Sequence, residues 1–215
     1  LTPTDGFYPA TVASFQAFSA AEQQQARDAL GIWAAASGLI FLEVAPGQGD
    51  LNFQLVDFST TAGQPVDYSA AAGIGFFPFG GWTGFSYPNY TTSLDLSGDV
   101  FMNTVYEHPG DTVDMGVLLH EIGHAIGLKH PTEVFINYAA NPAVTHDEVL
   151  ATDDPNITIM AQSGGGLSTD IGQIDRDAAA YLYGAAGTGG GYTGNAAGAN
   201  SVVSAWSYDV ARARV

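Results

Sequence analysis

The chain contains no cysteine, and that absence excludes disulfides, thiolate metal sites and thiol catalysis together. It is nearly as poor in positive charge. Lys and Arg number 5 against 22 Asp and Glu, a formal net charge of −17. A nucleic-acid binder must neutralise phosphates with cationic side chains, and this chain has too few to do so. The same shortage excludes docking on anionic membrane surfaces. A long apolar run is also missing. The longest, Ala29 to Leu42, has 14 residues and is interrupted by Gly31, Ser37 and Gly38. That is too short to span a bilayer, so a soluble protein is expected. No basic stretch followed by an apolar one stands at the start, and Leu1 in place of an initiator Met points to residues upstream.

What is present is material for a core. Of 215 residues 46% are hydrophobic and 12% aromatic, which suits one folded domain rather than a disordered acidic chain. Ser19-Ala20-Ala21-Glu22 has the form of a capping box, and behind it Ala26, Ala29, Leu30, Trp33 and Ala36 recur at helical spacing. Gly38 is the expected stop of that helix. Ile40–Ala45 and Asp50–Phe58 read as strands, the second with Phe53 and Leu55 alternating against Asn52 and Gln54 as if one face were covered. Gly73–Pro78 and Gly98–Asn103 are further strand candidates. A strongly apolar helix is expected from Asp111 or Thr112 to about Gly127, then an irregular region from Pro131 to Leu167. A last helix runs from about Thr169 to Tyr183, with Ile171, Ile174, Ala178 and Leu182 on one face. Helix, strands, helix, loop and helix in this order indicate an α+β domain over residues 1–184. Residues 185–215 turn Gly-rich and read as a linker or tail. Beyond Asp177 the only acidic residue is Asp209, so the tail cannot supply the carboxylates of a calcium-binding roll.

One stretch carries chemistry: His120-Glu121-Ile122-Gly123-His124-Ala125-Ile126-Gly127-Leu128-Lys129-His130. Helical residues four apart lie one turn above each other, so His120 and His124 can aim two imidazole nitrogens at one ion. Glu121, about a quarter-turn round, is placed to act as a base on an attacking water rather than to ligate. Gly127 can take a positive φ, ending the helix and turning the chain back so that His130 arrives as a third ligand. Isolated histidines are more often core or surface residues than ligands. Five fixed positions together, however, arise by chance on the order of once in 10⁵ such sequences.

Three histidines in this spacing, with the glutamate and the glycine, resemble the metzincin zinc proteases. Within that class the chain looks most like the serralysins, through Phe15-Gln16-Ala17-Phe18, Gly98-Asp99-Val100, His130-Pro131 and Tyr181-Leu182-Tyr183-Gly184-Ala185. The resemblance implies a zincin domain with a twisted, mostly parallel sheet, an active-site helix, a Met-turn and a C-terminal helix. It implies Zn2+ held by His120, His124 and His130, with Glu121 as general base. Met160, in Asn156-Ile157-Thr158-Ile159-Met160-Ala161-Gln162, falls at the Met-turn, and Gly98–Asn103 at the sheet edge that aligns an extended substrate. Gln162 stands where serralysins usually carry a tyrosine; it offers an amide for a zinc or oxyanion contact but no phenol, and Tyr138 is a candidate substitute. The implied protein is a secreted, bacterial-type, monomeric zinc endopeptidase acting on polypeptides, with no nucleic-acid or membrane partner. Ca2+ has no recognisable site. The alternative is a non-catalytic or latent zinc-binding protein that keeps the protease fold. His108 and His146 read as surface residues, Asp153-Asp154 as a solvated pair, and Trp82, Tyr87 and Tyr90 as cleft or sheet cover.

Overall fold

The computed structural model describes residues 15–46, 48–61, 68–78, 98–106, 110, 112–132, 135–137, 144–146, 152–162, 167–186 and 203–208. Helix α1 spans Ala20–Ala36 and begins at a closed capping box. The Glu22 N–H donates to Ser19 Oγ (3.2 Å) and the Ser19 N–H donates to Glu22 Oε2 (2.7 Å). Ala26, Ala29, Leu30, Trp33 and Ala36 form its buried face. The helix ends differently from expectation. Ser37 is the C-cap, in extended backbone, and its hydroxyl donates to the Trp33 carbonyl (2.8 Å), while the Gly38 N–H is taken by the Gly184 carbonyl (2.8 Å).

The main sheet is mixed. Strands β2 (Ile40–Glu43), β3 (Leu51–Val56), β4 (Gly73–Gly75), β5 (Val100–Asn103) and β8 (Val203–Tyr208) lie in the order β2-β8-β3-β5-β4. The β2–β8, β8–β3 and β3–β5 pairs are parallel and β5–β4 is antiparallel. The short β1 (Phe15–Gln16) runs antiparallel to the end of β3. Two strands, β6 (Phe135–Asn137) and β7 (Val144–His146), make a separate antiparallel pair. One face of the main sheet contributes Phe53, Leu55, Val100 and Met102 to a core shared with α1 and with helix α2 (Met115–Ala125). Phe101, Val56 and Phe58 form a smaller cluster, packed by Phe15, Tyr68, Ile74 and Phe76.

Three sequence expectations are corrected here. Strand β3 is buried on both faces, because it is central; Asn52 is accommodated by donating to Gly49 O (3.1 Å) and Asp99 Oδ1 (3.0 Å). Strand β5 is not a sheet edge, since β3 and β4 flank it, and β4 is the last described strand on that side. Residues 203–208, read as part of a Gly-rich tail, form β8 between β2 and β3; Val203, Trp206 and Tyr208 are β-favouring residue types.

Helix α2 starts at Met115 rather than near Asp111. The backbone of Val113 is already engaged in both directions by the Gln25 amide (2.9 Å each), which holds that residue out of the helix. Asp114 then caps the first turn, its Oδ1 accepting from the Gly116 (2.8 Å) and Val117 (3.0 Å) N–H groups. Trp33 packs against the middle of α2 and donates from Nε1 to Leu119 O (3.1 Å). On the opposite side β4 lies so close that a Cβ at Gly75 would collide with the Glu121 carbonyl. Helix α3 runs from Gln173 to Tyr183 and ends at Gly184, whose φ is +82°. The Tyr183 hydroxyl donates to the Ile126 carbonyl (2.6 Å), tying α3 to the end of α2.

Two glycine-to-alanine substitutions should move stability in opposite directions. Gly31 lies on the exposed face of α1 with open space around a would-be Cβ, so Gly31→Ala should raise stability by about 0.5–1 kcal/mol. Gly75→Ala must push β4 off α2 and should lower stability by about 1–3 kcal/mol. Urea denaturation of the two variants checks both signs.

Candidate metal centre

His120 and His124 stand one turn apart on the buried face of α2. Their Nδ1 atoms face backbone carbonyls, Ile159 O at 2.8 Å and Leu128 O at 2.7 Å. A carbonyl can only accept, so each Nδ1 carries the proton and each Nε2 is left with a free lone pair. His130 reaches the same point because α2 ends in a Schellman turn. The Gly127 N–H donates to His124 O (2.8 Å), the Leu128 N–H donates to Gly123 O (2.9 Å), and Gly127 has φ +103°. Chain reversal there brings His130 Nε2 to 3.2 Å from His120 Nε2 and 3.1 Å from His124 Nε2.

This arrangement fits a small tetrahedral cation. A Zn–N bond of about 2.0–2.1 Å sets ligand nitrogens about 3.3–3.4 Å apart on a tetrahedron, close to the spacing found. Three facing nitrogens, two of them fixed as lone pairs, cannot satisfy one another with the single proton that His130 Nε2 could supply. A cation satisfies all three. Among the described residues, His120, His124 and His130 are the one group of three that could hold a metal ion. Burial also suits them to the task, since it holds the His120 pKa down at about 4 and, with help from the neighbouring histidines, that of His124 at about 3. Both imidazoles are therefore neutral and ready to ligate at any ordinary pH. The Phe77 ring closes one side, edge-on to His124 with centroids 5.4 Å apart.

The Glu121 side chain lies against β4. Its carboxylate packs where a Gly73 side chain would otherwise lie and is hydrogen-bonded by the Gly75 backbone. Burial raises its pKa to about 8, and the Gly75 hydrogen bond offsets only part of that shift. Met160 is buried beneath α2, its thioether filling the space left by the missing side chain of Gly123. Gln162 is exposed, and its backbone N–H donates to Asp153 Oδ1 (2.8 Å). Among the described residues no hydrogen bond joins the Gln162 amide to the three histidines.

Of the other candidates, Asp153 acts on His120 through its charge, which opposes the fall in the His120 pKa. Asp154 serves the turn at 154–158, with its Oδ1 accepting from the Asn156 backbone (2.9 Å) and side-chain amide (2.8 Å). His146 lies in β7, paired with Phe135. His108, Tyr138, Trp82, Tyr87 and Tyr90 lie outside the described residues. Asp175 passed unnoticed in the sequence. It is 1% exposed and collects hydrogen bonds from the Thr158 hydroxyl, the Ile159 N–H (2.8 Å) and the Gly172 N–H (2.7 Å). Its one sequence signal was an acid three residues after a glycine N-cap, beside the apolar stripe of Ile171, Ile174 and Ala178.

Comparison with known proteins agrees with this geometry. The matrixin peptidase family, Peptidase M10, matches residues 11–158. The chain belongs to that family. Matrixins and serralysins are zinc enzymes, and the three histidines form a group that could hold such an ion. The matched stretch takes in the three histidines, Glu121 and Gly127 and stops short of Met160, Gln162 and α3. The matrixin-family chain is also 28% identical to Serralysin G of Dickeya chrysanthemi over 189 residues, 84% of this chain and 37% of that protein. Serralysin B of the same organism is 29% identical over 187 residues, 78% of this chain and 34% of its own length. The metalloprotease AprA of Pseudomonas entomophila is 30% identical over 164 residues, 74% of this chain and 30% of its own length. The chain thus spans about a third of the curated relatives it matches.

The site predicts a pH signature for the protein stripped of metal by a chelator. Glu121 goes from 4.5 unfolded to about 8 folded, so the folded state holds an extra proton in that interval and stability falls as pH rises through it. His120 and His124 act oppositely but only below their unfolded value of 6.5, where unfolded imidazoles take up protons that the buried ones refuse. Above about pH 7.5, a pH unit beyond that value, these histidines are neutral in both states, leaving Glu121 as the group of the three that titrates toward pH 8. The wild type should lose up to about 1.4 kcal/mol per pH unit there, and Glu121→Gln should flatten that slope. Equal slopes for the two proteins in urea titrations would contradict it.

Proposed function

We propose that this chain is the catalytic part of a zinc-dependent endopeptidase, with His120, His124 and His130 as ligands and Glu121 as general base. The observation that carries the reading is the convergence of three imidazole Nε2 atoms beside a buried carboxylate. Zinc held there supplies Lewis acidity toward a peptide carbonyl and lowers the pKa of water to about 7. Glu121 takes a proton on its carboxylate from the attacking water and then delivers it to the leaving amine. Burial raises the Glu121 pKa in the metal-free protein, and the charge of a bound cation would lower it again, leaving a carboxylate able to accept a proton and return it. Gly73 and Gly75 give the carboxylate its room, and the Gly75 hydrogen bond holds it in place. Met160 is proposed as the Met-turn residue, a soft apolar support under the ligand helix.

The substrate is a polypeptide in extended form. Strand β4 borders Glu121 and is the last described strand on its side of the sheet, so it is the edge suited to main-chain pairing with the substrate. Gln162 offers an amide rather than a phenol, so the most this residue would give the oxyanion is an amide N–H hydrogen bond. Extracellular action follows as part of the same reading, by likeness to the serralysins.

Hydrolysis of a diverse peptide mixture, read by mass spectrometry, tests the proposal. Internal cleavages should vanish with chelator and return with zinc. Glu121→Gln should lower turnover about 10²–10⁴-fold while the protein still binds one equivalent of zinc. His130→Ala should lose both. A zinc-loaded wild type that cleaves nothing would sink the catalytic reading and favour a zinc-binding role for the same fold.

A further inference from the structure

Helix α3 contributes no ligand, yet its Asp175 is buried at 1% exposure and aimed at the loop beneath the metal centre. A carboxylate is removed from water only at a cost unless its lone pairs are filled, and here three donors fill them. Two of the three come from consecutive residues of that loop. The Thr158 hydroxyl donates to Oδ1, and the Ile159 N–H donates to Oδ2 at 2.8 Å. The third, the Gly172 N–H at 2.7 Å, caps the start of α3 itself. Thr158 passes the constraint on, because its hydroxyl oxygen also accepts the Met160 N–H at 3.1 Å. Ile159 passes it further, since its carbonyl takes the His120 Nδ1 proton at 2.8 Å. The backbone of Ile159 is thus held by Asp175 through its N–H and holds His120 through its C=O.

We infer that Asp175 is a positioning residue that, through the backbone of Ile159, fixes the tautomer and ring direction of the metal ligand His120. The inference rests on the zinc-site reading above and deepens it. His124 has no comparable dependence, because its Nδ1 partner, Leu128 O at 2.7 Å, belongs to the same local turn. Loss of Asp175 should therefore act on one ligand and not on all three.

Zinc affinity, measured by competition with a chelator, and the ¹⁵N resonances of His120 in the metal-free protein provide two readouts. Asp175→Asn keeps the shape but turns part of the acceptor into a donor that faces N–H groups. It should weaken zinc binding about 10–100-fold and reduce the Nδ1-protonated form of His120, with His124 unchanged. Ala180→Gly weakens α3 without touching the hydrogen-bonded chain and should leave both readouts as in wild type. Should Asp175→Asn fail to fold, Thr158→Val breaks one link and should shift His120 in the same direction. Wild-type zinc affinity and an unaltered His120 in a folded Asp175→Asn protein would overturn the inference, as would an equal loss in Ala180→Gly. A wild type that takes up no zinc would instead overturn the reading of the site, and the His120 tautomer would still decide the role of Asp175.

Discussion

Everything in this structure turns on keeping two neutral imidazole lone pairs, those of His120 and His124, pointed at a third imidazole inside a protein core. Left to themselves such groups would rotate away or protonate, since like dipoles facing across about 3 Å repel. Two backbone carbonyls prevent the first outcome by occupying Nδ1 of His120 and of His124. Burial prevents the second by making the charged forms costly. The sheet, the packing of α1 through Trp33 and the reversal at Gly127 all hold those carbonyls and rings where they are.

The carboxylate beside this seam depends on absence rather than presence. Strand β4 can approach α2 because Gly73 and Gly75 have no side chains, and that closeness is what dries Glu121 and raises its pKa. A larger residue at either position would separate strand from helix and admit water to the carboxylate. Glycine is here a packing device that sets an acid strength, and it carries no unusual φ at these two positions.

Much of the site was legible because its logic is local. Histidines four apart on one helix, with a glycine three residues past the second, determine a seam and a reversal within 11 residues. Capping boxes are equally local, and Ser19 with Glu22 reads directly. What escaped was long-range. Whether Gly98–Asn103 is edge or interior depends on where Gly73–Gly75 pairs, a contact that no periodicity encodes. Residues 203–208 enter the sheet from beyond a Gly-rich stretch, so their composition spoke of a tail while their pairing is with β2 and β3. The start of α2 was misplaced because Val113 is held by Gln25, 88 residues earlier. Asp175 was invisible for the same reason: an acid at the third position of a helix has a sufficient local explanation as a cap.

The three histidines consequently differ in what they depend on. His124 and His130 belong to the segment from Gly123 to His130, whose geometry is closed by its own turn through Gly127 and Leu128. His120 is on the same helix, yet its second nitrogen is satisfied by Ile159, 39 residues away, and Ile159 is in turn anchored by α3. The centre is therefore two-thirds local and one-third tertiary. A folding chain can bring two imidazoles together as soon as α2 and its turn form. The direction of His120 rests on a 158–160 turn that is hydrogen-bonded to α3, so the full triangle of nitrogens is a property of the whole domain rather than of the motif.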